Sequence, residues 1–359
     1  MSLSVNLPSL TIGTNAYDSI EEYCKDYGQT VAILGGEKAL AASKDKLKMA
    51  LDQSSLTVTT VEVYGKDATF SNVERLKSLK DVLEADMIFA VGGGRALDTV
   101  KIVARDLEKP VFTFPTLASV NAATTAVSVM YHDNHEMAGL AFTPAPANHC
   151  FIDTQVIAEA PVEYLWAGIG DALSKEVEAT FSARGRDFSF ANRLGVNVVK
   201  GTNDKLVAHG KEALKAAHNK QANEALEAVA LEILGTTAYT SVLVDNDYNS
   251  NMAHAFYYGY TVLPQAALHL HGEVVSYGVL LLLTMDRQFE YRDRLREFMI
   301  SINLPTSLDE LEIFTDEDVE QLLDKAITME DLVCSPYEIT RDMFKKAIED
   351  LESLALTHV

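Results

Sequence analysis

The chain has little of what several large classes of partner would require. Cysteine is scarce: Cys24, Cys150 and Cys334 are the only three in 359 residues. An odd number at unrelated spacings offers neither a disulfide framework nor a closed zinc site, so reduced thiols and a cytoplasmic location are expected. Basic residues are few, with Lys+Arg 30 against Asp+Glu 52 and a formal net charge of −22. Such a surface repels phosphate backbones and anionic lipid, which excludes nucleic acid and membrane surfaces as expected partners. The acid excess beyond Thr306 reads as solvated helix faces. Long apolar runs are missing too. The strongest, Val279 to Leu283, is far below the roughly 18 residues of a membrane span. The first ten residues, MSLSVNLPSL, lack a basic stretch followed by an apolar one, so no signal peptide is expected. Repeats and low-complexity linkers are absent.

What is present is ordinary for a folded protein: 48% hydrophobic and 23% charged residues, in a length that suggests two domains. The first part alternates short apolar runs with helical stretches. Thr30 to Leu34 runs into Gly35-Gly36, Thr57 to Tyr64 is β-branched, Met87 to Val91 runs into Gly92-Gly93-Gly94, and Pro110 to Phe114 follows one further helix. Buried strands separated by helices predict a parallel α/β sheet. Ala126–Tyr131 and Gly139–Thr143 flank the polar segment 132–136 and predict a β-hairpin. After Asp153 helical periodicity takes over, as in Leu173, Val177 and Phe181. The expected division is an α/β dinucleotide-binding domain over 1–157 and an all-α domain over 158–359.

Three features could carry chemistry. Gly92-Gly93-Gly94 between a strand and a helix lets backbone approach a ligand, and the helix start offers free N–H groups to a pyrophosphate. The spacing is not GxGxxG, and a plain tight turn is the alternative reading. Glu37, just past another strand end, is placed to accept hydrogen bonds from an adenosine ribose and to repel a 2′-phosphate, although surface glutamates commonly do neither. Asp171, at an expected helix start in Gly168-Ile169-Gly170-Asp171, joins His254 and His271 as one carboxylate and two imidazoles, a set that suits a divalent metal with an open position. Their separation leaves no local signature, and histidines in helical domains commonly serve the core or the surface.

Taken in order, several motifs resemble the glycerol dehydrogenase branch of the metal-dependent, so-called iron-containing, alcohol dehydrogenase superfamily. They are Gly13-Thr14-Asn15-Ala16, Gly92 to Lys101 as GGGxxxDxxK, Phe114 to Ser119, Ser128 to Tyr131, Ile169 to Leu173, Ala253-His254-Ala255 and His271-Gly272-Glu273. The resemblance implies the dehydroquinate synthase-like fold, with NAD (or NADP) and a divalent metal as cofactors. It assigns Gly92, Gly93, Gly94, Arg95, Asp98, Thr116, Leu117 and Ser119 to the cofactor's phosphate and ribose, Glu37 to the adenosine ribose, and Thr125, Val127 and Tyr131 to the nicotinamide end. Asp171, His254 and His271 become metal ligands, with His254 and Asn121 the catalytic residues.

Two departures shape the substrate. Asn121 stands where glycerol dehydrogenases have an Asp that contacts the polyol, and Tyr257 stands where the branch commonly has a further His. The latter, with no obvious additional histidine ligand, favours zinc over iron. The segment around Asn121 also resembles relatives that reduce 2-oxo acids, because an amide can donate to a substrate carboxylate that Asp would repel. The expected activity is therefore hydride transfer between a small alcohol or polyol and NAD by a homo-oligomer. The alternatives are a 2-hydroxycarboxylate dehydrogenase, a non-redox dehydroquinate synthase-like lyase (disfavoured by the few basic residues near the motifs), and a cofactor-binding protein without activity.

Overall fold

The computed structural model describes residues 4–355 and divides the chain into two compact units: residues up to Leu165 with Lys215–Val242, and Trp166–Leu214 with the residues from Leu243 onward.

The first unit is built on a parallel sheet. Its strands are β1 (Leu10–Gly13), β2 (Thr30–Gly35), β3 (Thr57–Val63), β4 (Met87–Gly92), β5 (Val111–Pro115) and, after the hairpin β6 (Val127–Tyr131) and β7 (Met137–Phe142), β8 (His149–Asp153). The six run parallel in the order β1-β8-β5-β4-β2-β3, while β6 and β7 pair antiparallel as a separate ribbon. Central β4 reads Met-Ile-Phe-Ala-Val-Gly and is buried throughout, because helices must cover both faces of a parallel sheet; edge strand β3 is mostly exposed. Phe89, Phe112, Phe114 and Phe151 fill one face, with Phe114 stacked on Phe151 at 4.9 Å.

After β2 the chain moves outward to β3 and then returns to the other side of β2 as β4. Ligands of such sheets bind outside the strand ends where the order reverses in this way. Here those ends are Gly35 and Gly92, and the N–H of Gly36, just past β2, donates to Val91 O at 3.1 Å.

The division differs from a single cut at residues 157/158. Residues 215–242 lie far along the chain yet complete the sheet unit, because the short edge strand β1 and its neighbours need apolar cover. Tyr239 donates its hydroxyl to Pro8 O, and a Cβ at Gly235 would lie 3.6 Å from Leu10 Cδ2. Most of this segment lies in the stretch Glu224–Leu243, which by length and composition is apolar enough to cross a membrane; more than half of that stretch's apolar window is buried in the structure. A count of uninterrupted apolar runs passes over it, because polar residues punctuate it.

The second unit is helical among its described residues. The helix Val162–Ser182 supplies most of its sequence to this unit and buries Leu173, Val177 and Phe181. Met252–Tyr260 and His271–Met285 follow the return from the first unit, and the latter is buried almost all round between Val274 and Thr284, as a central core helix must be.

Candidate active site

The glycine segment closes β4 and opens the helix Gly94–Asp106. Gly92 has φ 155°, a region that side chains avoid, and a Cβ there would lie 2.7 Å from Ala96 Cβ. Bare backbone is therefore presented at the crevice, beside the start of a helix whose first N–H groups have no intrahelical acceptor. Glu37 is the exposed first residue of the helix Glu37–Asp52, directly after β2. Thr116, Leu117 and Ser119 follow β5, and the Thr116 N–H donates to Gly92 O at 3.1 Å, so that segment is laced to the glycines.

Arg95 is exposed, pairs with Asp67 at 3.4 Å and lies over the Tyr131 ring at 5.2 Å. Asp98 is different. It turns inward, pairs with buried Lys101 at 3.2 Å and accepts from the Val129 N–H, while Lys101 donates to Val127 O at 2.6 Å. Burial pushes the Asp98 carboxyl up and the Lys101 ammonium down, and their mutual attraction opposes both shifts. The pair ties the hairpin to the glycine helix. Thr125 is likewise buried, and Val127 begins β6.

Asn121 occupies the turn after β5. Its Nδ2 lies 2.9 Å from Thr237 Oγ1 and 3.4 Å from Ser241 Oγ. The Thr237 hydroxyl donates its proton to Ile233 O at 2.6 Å, so it can only accept from Asn121, which fixes which way the amide faces. One amide N–H is thus engaged by Thr237 and the other has Ser241 Oγ as its nearest acceptor, while Oδ1 faces away from both as an acceptor. Thr237 follows a π-helical turn, Glu232–Thr236, whose Leu234 carbonyl accepts from Thr124 Oγ1; such turns release carbonyls from the helix ladder.

In the second unit, Asp171, His254 and His271 converge. Their ligand atoms lie within 4.8 Å of one another, the one such group that could hold a metal among the described residues. Asp171 Oδ1 is 3.1 Å from His271 Nε2 and 3.7 Å from His254 Nε2, and all three side chains keep partial exposure, from 16% to 32%. Asp171 sits in the middle of Val162–Ser182, not at a helix start. The helix opens after Pro161, and the neighbouring glycines serve a crossing instead. A Cβ at Gly170 would lie 2.3 Å from Gly272 O, and one at Gly272 only 1.9 Å from Ala167 O. The two backbones therefore touch where Asp171 meets His271. His271 begins its helix, and Glu273 accepts from the Leu270 N–H with one oxygen and meets His269 Nδ1 with the other.

The imidazole of His254 is held from behind by Glu178, 2.6 Å from Nδ1. Burial disfavours the His254 imidazolium, but the charge and hydrogen bond of Glu178, with Asp171 adding to them, outweigh it and raise the pKa to about 9. Burial also opposes ionisation of Asp171, yet His271, His254 and Lys175 hold its carboxyl below the ordinary range. The same two carboxylates that favour a proton on His254 would favour a cation, and a metal binding there would displace that proton. One carboxylate and two imidazole nitrogens suit zinc or another divalent transition ion and leave room for a further ligand. Sequence reading missed Glu178, Asp67 and Thr237. Glu178 alone had a signal, its spacing of two helical turns from Asp171.

A parallel sheet with a glycine turn where its strand order reverses and an open three-residue cation site are the parts a metal-dependent oxidoreductase uses. Residues 11–161 match the iron-containing alcohol dehydrogenase family model. Glycerol dehydrogenase of Thermotoga maritima is 32% identical over 81% of this chain and 82% of its own, and hydroxycarboxylate dehydrogenase A of Escherichia coli is 30% identical over 94% of each. The crystal structure of glycerol dehydrogenase from Schizosaccharomyces pombe matches with a TM-score of 0.87 and 27% identity, covering 99% of this chain and 92% of that one. The chain belongs to the iron-containing alcohol dehydrogenase family, in its glycerol dehydrogenase-like branch, whose members are metal-dependent and bind NAD. It is an oxidoreductase acting on CH–OH groups.

Proposed function

We propose that the chain is a cytoplasmic, zinc- and NAD-dependent dehydrogenase of small polyols. The observation that carries this reading is Asn121: with its amide donor held by Thr237, it offers substrate an acceptor, the complement of a second hydroxyl. Asp171, His254 and His271 would hold the metal, whose Lewis acidity lowers the pKa of an alcohol hydroxyl. NAD supplies the hydride acceptor. The chain's own residues do the rest. The backbone at Gly92–Gly94, with the helix start behind it, receives the pyrophosphate, and Arg95, steadied by Asp67, adds a positive charge beside it. Exposed Glu37 receives the adenosine ribose and repels a 2′-phosphate, which favours NAD over NADP. Tyr131, carried by the hairpin that the Asp98–Lys101 pair anchors, lies at the nicotinamide end. Zinc rather than iron is supported by the three-ligand set, and the cytosol by three cysteines that are all buried and unpaired.

One observation favours a second reading. Position 121 is neutral, so a substrate carboxylate meets no repulsion there, and a 2-hydroxy acid remains the competing substrate. Asn121→Asp tests the choice. It keeps the acceptor and adds a charge, so the ratio of kcat/KM for a vicinal diol to that for a short 2-oxo acid should rise by about ten- to a hundredfold. An unchanged ratio would show that position 121 does not read the substrate.

A further inference from the structure

We propose that Glu178, which no motif of the chain contains, is the positioning residue that makes His254 an Nε2 ligand. It lies seven residues after Asp171, two turns along the same helix and therefore on the same face. Its side chain is 0% exposed. A carboxylate is kept from water only where its oxygens are filled, and here they are. One oxygen accepts the backbone N–H groups of Asn251 at 2.7 Å and His254 at 3.1 Å, at the start of the helix Met252–Tyr260. The other meets His254 Nδ1 at 2.6 Å.

An ionised carboxylate only accepts, so the Nδ1 proton is pinned toward Glu178 and the Nε2 lone pair is left toward Asp171 and His271. One buried side chain thus sets the backbone, the ring orientation and the tautomer of His254. The cap and the tautomer can be separated chemically. In Glu178→Gln the amide oxygen still accepts the two backbone N–H groups, but the amide nitrogen faces Nδ1 as a donor. That arrangement drives the ring proton to Nε2, the atom a metal needs.

The inference rests on Asp171, His254 and His271 being the metal set. The test uses the full chain with zinc as the only added ligand, with affinity read by chelator competition. His254 is followed by ring nitrogen NMR of 15N-histidine protein, its signals assigned by their loss in His254→Gln. Wild-type protein should bind one zinc and, zinc-loaded, show His254 protonated at Nδ1 only, whereas Glu178→Gln should bind zinc roughly ten- to a hundredfold more weakly with altered His254 ring shifts in the zinc-loaded state. Equal zinc affinity and unchanged shifts in the variant would overturn the role of Glu178 while leaving the metal site standing. Wild-type protein that binds no zinc would overturn both. If the variant fails to fold, the wild-type spectrum still decides, because an Nε2–H signal for His254 in the zinc-loaded chain contradicts the proposal.

Discussion

The two units present their candidate binding groups in opposite ways. The glycine segment is contiguous: β4, three glycines and one helix follow one another along residues 87–106, and what they present is mainly backbone. The candidate metal site is assembled from three helices, its residues are 100 apart at the extremes, and what it presents are side-chain atoms. The first depends on where the chain turns, the second on how closely helices can cross. Small residues therefore matter in both, for different reasons: Gly92 for a backbone angle, Gly170 and Gly272 for a helix contact.

The largest effect is expected at the helix crossing. In Gly272→Ala the new methyl would sit 1.9 Å from Ala167 O, a backbone atom that cannot rotate away, so the helices carrying Asp171 and His271 must separate. A loss of about 4 kcal/mol or more is expected, with zinc binding abolished, in thermal melts and metal analysis. NADH binding by fluorescence should outlast the loss of zinc. Equal stability of the variant and the wild type would mean that the close crossing is not obligatory.

Gly92→Ala is the converse. The positive φ and the contact with Ala96 should cost about 1–3 kcal/mol and weaken NADH at least tenfold, while zinc content stays at the wild-type level. Loss of zinc alongside NADH would show that the two halves are not separable in this way. The smallest effect is expected at Glu37. Because this carboxylate is exposed, Glu37→Ser should narrow the preference for NAD over NADP by only a fewfold to tenfold in kcat/KM. A wild type with equal kcat/KM for the two cofactors would remove the argument.

The same contrast explains what could be read from sequence. The strands, the glycine turn and the hairpin were legible because each announces itself within ten residues, by apolar runs, glycines or a polar loop. The return of residues 215–242 to the sheet unit was not, since its signal is a fit to β1 rather than a pattern of its own. Asp171 was placed at a helix start because Gly168 and Gly170 look like a break. They are mid-helix, and Gly170 is spent on the crossing, a partner that no local window contains. The metal set itself came from resemblance to relatives. Asn121 was legible as a position but not as an orientation, because the direction of its amide depends on a hydroxyl more than a hundred residues away.

The central claim is that Asp171, His254 and His271 form one metal centre on which the oxidation of an alcohol depends, and His271→Ala tests it most directly. Zinc per chain by elemental analysis should be measured alongside kcat with NAD and a vicinal diol, for wild-type and variant protein of matched circular dichroism. The account predicts that zinc and turnover fall together, turnover by at least a hundredfold, with the fold retained. A variant that keeps full zinc and full turnover would contradict it.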